Sequence, residues 1–432
     1  MLAGSCEFDI SPQKGMLLKG YARPLRPNIG THDPLMGCCV YLAQDGLEVA
    51  IVTLDLLMIS TELSRRIRLY AAGESGLSPE NILLCCSHTH SGPRAYQALD
   101  GSPETPEEND YMDQLSEKIA QAVAAAKKSR FQAKVGISQC VAGDAEGIGG
   151  NRDHKGGLSD PRIGMLGVWD MQDELRCVLV NYALHPTLLH EDNLWASADY
   201  PAYIRKSIQD VYSCCCFGFL QGASGDQSSR YYRKSEGFGE AERFGRTIGK
   251  AVLSSLQACD LQTEPIFRFG NERLPVELRT FPCRETLERD ICLKRAEYQR
   301  HLMMSDAMTA HNAKQKMLGA ECKLEYALEF EKNRALYEKA TAEVWAIRIG
   351  EHCISGVMGE YFVEYGLAIK ALSGAAITLV VSLTNGSLPG YVCTPAAYLE
   401  GGYEPDASML SETFGASMTQ AAIQVCRKLF HP

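Results

Sequence analysis

His88, Thr89 and His90 follow an apolar run in NILLCCSHTHSGPR, and the chain then breaks into Ser91, Gly92 and Pro93. In extended backbone, residues i and i+2 face the same side, so two imidazoles would converge where the chain leaves a strand, a geometry suited to a metal ion. Two hydrogen-bonded histidines at a strand end are the other reading of that tripeptide taken alone. Three further runs join it. RCVLVNYALHPTLLH carries His185 before Pro186, CCCFGFLQGASGDQSS ends in a turn holding Asp226 and Ser228, and ISGVMGEYF sets Glu360 at an expected helix start. Such groups, at the ends of strands or loops, are what α/β proteins gather for binding and catalysis. For Glu360, a carboxylate capping the following helix is the competing role. A serine nucleophile is the other chemistry considered, but the chain holds no GxSxG elbow.

Those side chains need a sheet to hold them. Short apolar runs near 37–43, 48–55, 81–86, 131–140, 163–169, 175–182, 214–220, 343–349 and 376–383 read as strands, with helical patterns between them. The alternation predicts an α/β fold of mixed β-sheets flanked by helices. Between 109 and 129, Met112, Leu115, Ile119, Ala122 and Val123 recur at helical spacing and should pack one face on a sheet. The stretch 284–341 has no Pro and a single glycine, Gly319, and reads as a long helical hairpin whose charges form a solvated face. The Gly-rich GIGGN in the loop 142–162 is not followed by GK[ST] and a helix, so it is not a phosphate-binding loop. No internal repeat appears, and residues 1–432 read as a single domain.

The 432 residues carry 43 Lys plus Arg against 53 Asp plus Glu, a net charge of -10, and 45% are hydrophobic. This is the composition of a soluble globular protein, and without a long basic run it argues against nucleic acid or an anionic membrane surface as a partner. No run of apolar residues is long enough to span a bilayer, and no stable membrane insertion is expected. The N-terminal residues lack the charged and apolar regions of a secretory signal, so a cytoplasmic location is expected. The 17 cysteines are odd in number, several are adjacent, and none forms a CxxC pair. They read as buried thiols in a reducing compartment rather than a thiolate metal site.

In order along the chain, GYARP, GTHDPL, HTHSGP, GGNR, NYALHPT, SADYPAY, QGASGDQS, GVMGEYF and GYVCTPAAYLEGGYE resemble the N-terminal catalytic domain of the neutral, non-lysosomal ceramidases. HTHSGP and YVxTPxxYxxxxYE are the specific parts. The resemblance implies a zinc amidase with one Zn2+ per chain, held by His88, His185, Glu360 and Tyr391. It implies that His90 faces the substrate and that Arg152 and Tyr403 stabilise an oxyanion while metal-activated water attacks an amide carbonyl. Asp226 and Ser228 match the family's GDxSPN turn, which suggests that Ser228 positions substrate or water and that Asp226 orients it. The donor of a proton to the leaving amine stays open between Glu360 and His90.

Two departures bear on the substrate. The family's C-terminal immunoglobulin-like domain and secretory signal are not recognisable here, and the turn reads GDQSSR with HTHSGP followed by arginine. Ser229, Arg230 and Arg94 should therefore add polar and cationic character beside the site. The expectation is an amidohydrolase acting on a small polar N-acyl substrate. A true ceramidase, a zinc esterase or lactonase, and a non-catalytic metal-binding interaction protein working through 284–341 are the alternatives.

Overall fold

The computed structural model describes residues 1–21, 25–96, 104–304 and 306–431. An eight-stranded sheet is built, in chain order, from β1 (Leu2–Asp9), β2 (Met36–Gln44), β3 (Leu47–Leu54), β4 (Ile82–Cys86), β5 (Phe131–Val141), β6 (Arg162–Asp170), β7 (Leu175–Tyr182) and β8 (Cys216–Gln221). Their spatial order is β8-β7-β6-β5-β1-β2-β3-β4. The pairs β3–β4 and β7–β8 are parallel and the rest antiparallel. A second, four-stranded sheet runs in order through β9 (Phe267–Pro275), β10 (Thr341–Ile349), β11 (His352–Gly356) and β12 (Thr378–Val381).

Side-chain alternation stacks these sheets face to face. On β2, Cys38, Val40 and Leu42 share one core with Trp345, Ile347 and Ile349 of β10. The intervening Cys39, Tyr41 and Ala43 point the other way, toward α1 (Thr61–Ser75) and α2 (Pro106–Lys128). On β10, Ala342, Val344 and Ala346 likewise face a separate core that includes α7 (Val363–Leu372) and α8 (Phe414–Phe430). Because successive side chains leave a strand on opposite faces, both sheets can be buried on both sides. The outer face of β6, β7 and β8 is closed by α3 (Tyr200–Gln209) and α4 (Phe238–Leu256). The result is four layers, helices outside two stacked mixed sheets, which is the α/β class read from the sequence.

α2 starts at Pro106 because Thr105 and Glu108 form a reciprocal capping box with proline in the first turn. The expected hairpin is present as α5 (Arg284–Met304) and α6 (Ala307–Tyr337), and Thr341 begins β10 instead of ending it. Its charges lie mostly toward solvent, as expected, but α6 also has a second, buried side. Ala310, Ala313, Gly319, Ala320, Tyr326 and Ala327 of α6 are buried, so the helix packs a stripe of small residues onto the body of the protein. Strands β1, β9 and β11 were not expected. β1 and β9 contain no Val, Ile or Thr, and their burial comes from neighbouring strands rather than propensity. Cys38, Cys39, Cys85 and Cys86 are buried, whereas Cys214 is exposed. Among the described residues no helix is long and apolar enough to cross a membrane.

Candidate active site

His88 stands two residues beyond the end of β4 with φ at 68°, so the extended alternation expected for His88 and His90 does not operate there. The left-handed turn still brings the two rings together, with centroids 5.0 Å apart and planes at 89°. His185 stands three residues beyond the end of β7, without a left-handed backbone. Glu360 comes from the segment that follows β11, in a separate two-residue parallel ladder that pairs Glu360 with Tyr391. Glu360 does not cap α7. That helix begins at Val363, and its first amide is taken by the Asp226 carboxylate at 2.9 Å.

Three atoms converge. His88 Nε2 lies 3.1 Å from His185 Nε2 and 3.1 Å from Glu360 Oε2, and His185 Nε2 lies 3.2 Å from the same oxygen. The far sides of the rings fix the tautomers: His88 Nδ1 donates to the Leu57 carbonyl at 2.9 Å and His185 Nδ1 to the Ser224 carbonyl at 2.7 Å. In the neutral rings both Nε2 atoms then present lone pairs to each other and to a carboxylate oxygen. Three electron-pair donors this close repel unless a cation lies among them, so the donor set fits a divalent ion. Burial, with the Glu360 hydrogen bond opposing it, pushes His185 down to about 4, which keeps that ring neutral. Glu360 is raised by burial but pulled further down by the two histidines, and it stays a carboxylate.

His90 belongs to the same group, since His88, His90 and His185 all offer ring nitrogens within 4.8 Å of one another. It differs from the other two. Neither His90 nitrogen has a hydrogen-bond partner among the described residues, and histidines that hold metals usually have the distal nitrogen anchored. The ring is seated under Gly20, whose φ is 111° and where any Cβ would lie 2.5 Å from the imidazole, and beside the Tyr21 ring at 5.0 Å. Arg26 fixes its backbone by donating to the His90 carbonyl at 2.7 Å. This places His90 beside the donor triangle with its polar edges uncommitted.

Arg152 lies over the Tyr391 ring at 5.2 Å and is paired with Glu404, both side chains being buried. Tyr391 and Tyr403 meet edge to face at 6.0 Å. Burial, reinforced by the Glu360 charge, raises the Tyr391 phenol well above its ordinary range, so it remains a proton-bearing donor. Tyr403 is raised by burial too. The backbone amide of Arg152 donates to the Asp226 carbonyl, and Gln227–Ser228 pairs with Gly150–Asn151, which ties the two loops together. Asp226 does not orient Ser228. Its carboxylate is spent on Val363 and Asn151, while Ser228 Oγ accepts from the Arg230 amide at 3.2 Å. Arg94 is buried and paired with Glu108 of the capping box, so its charge is balanced there. Arg230 donates to the Arg152 carbonyl, and Ser229 is buried in the same turn. Glu404 was missed although it ends the recognised YE motif, as were the anchoring carbonyls of Leu57 and Ser224, which have no side-chain signature.

Two solved structures have this arrangement of sheets and helices. A neutral ceramidase from Pseudomonas aeruginosa superposes over the whole chain and 74% of its own length, with a TM-score of 0.75 and 16% sequence identity. The chain has the neutral ceramidase fold. A ceramidase complexed with C2 is similar at TM-score 0.74 and 15% identity, over the whole chain and 75% of that protein. No protein-family model matches the sequence, and no curated protein matches it. Identity this low leaves the neutral ceramidase likeness a statement about architecture. The donor triangle is a separate observation about side chains.

Proposed function

We propose that this chain is a metal-dependent amidohydrolase of the neutral ceramidase type, cleaving a small polar N-acyl substrate. The observation that carries the reading is the triangle of His88 Nε2, His185 Nε2 and Glu360 Oε2, with edges of 3.1–3.2 Å, assembled from segments that leave both stacked sheets of a ceramidase fold. These three side chains would hold the ion, with Tyr391 opposite Glu360 on the ladder as the fourth expected contact. Zinc bound there would supply Lewis acidity toward water and the amide carbonyl. Arg152, kept cationic and oriented by Glu404, and the protonated phenol of Tyr403 are the donors for charge developing on the carbonyl oxygen. His90, whose nitrogens have no other partner, is the group suited to move a proton to the leaving amine. Asp226 and Ser228 hold the loop behind Arg152 rather than act on substrate directly.

Metal analysis of protein purified without added metal, for the native chain and His185→Ala in parallel, tests the centre. The expected result is about one zinc per native chain and little in the variant. Turnover of matched amide and ester pairs then tests the reaction, with amide hydrolysis lost on metal removal. No metal in the native protein after zinc is supplied would end the hydrolase reading.

A further inference from the structure

Six arginines among the described residues are buried: Arg26, Arg68, Arg94, Arg152, Arg205 and Arg348. Five of them have a carboxylate. Arg68 meets Glu343, Arg94 meets Glu108, Arg152 meets Glu404, Arg205 meets Asp55, and Arg348 meets Glu351. Arg26, at 0% exposure, has none within 4 Å among the described residues, and its Nε is buried without a partner. An uncompensated buried guanidinium is costly, and a neutral amide side chain could serve as a donor at that place with less penalty.

What Arg26 touches is the surroundings of His90. Its Nη2 donates to the carbonyls of His90 and Lys19, each at 2.7 Å, and its Nη1 to the carbonyl of Asn193 at 3.3 Å. Those carbonyls belong to three separate segments: the HTHSGP loop, the stretch before Tyr21 and the loop that follows His185. The same segments are cross-tied, the Lys19 amide donating to the Gly92 carbonyl at 2.9 Å and Asn193 Nδ2 to Ser91 Oγ at 3.0 Å. The guanidinium carbon also lies 4.8 Å from the centroid of the Tyr21 ring, and that ring lies 5.0 Å from the His90 ring. The Tyr21 hydroxyl is buried with no partner among the described residues, so packing rather than hydrogen bonding locates the ring. Arg26 thus reaches His90 twice, through its backbone carbonyl and through the Tyr21 ring. A planar fork of fixed donors can hold several carbonyls at set angles, which a rotating ammonium cannot.

We propose that Arg26 is a positioning residue for the reaction, holding the His90 imidazole in the orientation from which a proton reaches the leaving amine. Water adding to the carbonyl gives up a proton, which His90 carries. When the C–N bond breaks, its electron pair stays on nitrogen and takes that proton, leaving a neutral imidazole, an acid and an amine. The catalytic part rests on the amidohydrolase reading; the hold on His90 does not.

The test uses an amide and an aryl ester of the same acyl group, because a phenolate leaves without being protonated. Values of kcat and KM are measured for the native chain, Arg26→Gln, Arg26→Lys, His90→Gln and the double variant Arg26→Gln with His90→Gln. Arg26→Gln should lower kcat for the amide by about tenfold to a hundredfold with KM little moved, and should lower ester turnover far less. Arg26→Lys should recover part of the loss. The double variant should be no worse on the amide than His90→Gln, since no imidazole is left to position. Equal losses on amide and ester, or full additivity in the double variant, overturn the proposal. Should Arg26→Gln fail to fold, Tyr21→Leu, which removes the ring contact alone, must show the same amide-selective loss, and an equal loss on both substrates overturns the proposal there too. If the native chain hydrolyses neither substrate, the amidohydrolase reading falls and crystals of Arg26→Gln or Tyr21→Leu decide the rest. A His90 ring turned away from its place in the native chain upholds the hold, and a ring unmoved in the variant overturns it.

Discussion

Arg152 and Glu404 form a buried pair that must be read through both partners. Removing one leaves the other uncompensated in a low-dielectric setting, so Glu404→Gln is expected to cost about 3–5 kcal/mol in urea unfolding. Arg152→Ala combined with Glu404→Gln should cost less than the sum of the single changes, which a double-mutant cycle on the same assay would reveal. In kinetics Arg152→Ala should lower kcat by about 10²-fold while KM moves little, the pattern for a donor that acts on the transition state. An effect confined to KM would reassign it to substrate binding. The sequence made His88, His185, Glu360 and Arg152 legible because each sits in a short motif of unusual composition. It did not reveal that Arg94 is balanced, since its partner is the capping carboxylate of a helix fourteen residues on, and spacing says nothing about which charges meet. The partners of Asp226 were hidden for the same reason.

Elements hold these residues through a few tight contacts. Asp199 sits at φ 61° and accepts backbone hydrogen bonds from Leu188 at 2.9 Å, Leu189 at 3.1 Å and Tyr200 at 2.7 Å, joining the segment after His185 to the start of α3. Burial raises its carboxyl to about 7 from an ordinary 3.8 despite those three donors. The folded state therefore binds the proton more tightly than the unfolded one, and this contribution is present below pH 3.8 and lost as pH rises through 7. Relative to Asp199→Asn, the native chain should lose up to about 1.4 kcal/mol of stability per pH unit across that window, read from urea midpoints at several pH values. A flat difference would show that Asp199 titrates normally. On α6, a Cβ at Gly319 would lie 2.9 Å from Tyr403 Cα and 3.0 Å from the Gly402 carbonyl. Glycine to alanine inside a helix ordinarily gains about 0.5–1 kcal/mol, whereas Gly319→Ala is expected to lower the melting temperature and turnover together. A rise in melting temperature would mean that α6 is not pressed onto Tyr403. Apolar runs announced most strands because burial on both faces leaves a continuous signal; β1 and β9 escaped notice because pairing, rather than their own residues, makes them strands.

At the scale of the whole molecule, His88 and His185 lie on segments leaving the eight-stranded sheet and Glu360 on the segment leaving the four-stranded one, so an ion held by all three would fasten the two sheets. Prolonged dialysis against a chelator should lower the melting temperature of the native chain by several degrees and leave His185→Ala unchanged. Equal shifts in both would place the stabilising ion elsewhere. The same stacking has a cost during synthesis. The eight-stranded sheet is complete in sequence at Gln221, but the face bearing Val40, Ile51, Leu83 and Leu179 is covered only by strands that begin at Phe267 and end at Val381. A nascent chain emerging from the ribosome must therefore carry an uncovered apolar sheet through much of translation, the condition in which chaperones are recruited and neighbouring chains coalesce. Cys38 and Cys177, whose sulfurs end 3.9 Å apart in the finished core, lie open on that face in the interval, so an oxidant present while the protein is being made would reach thiols that the folded molecule seals away.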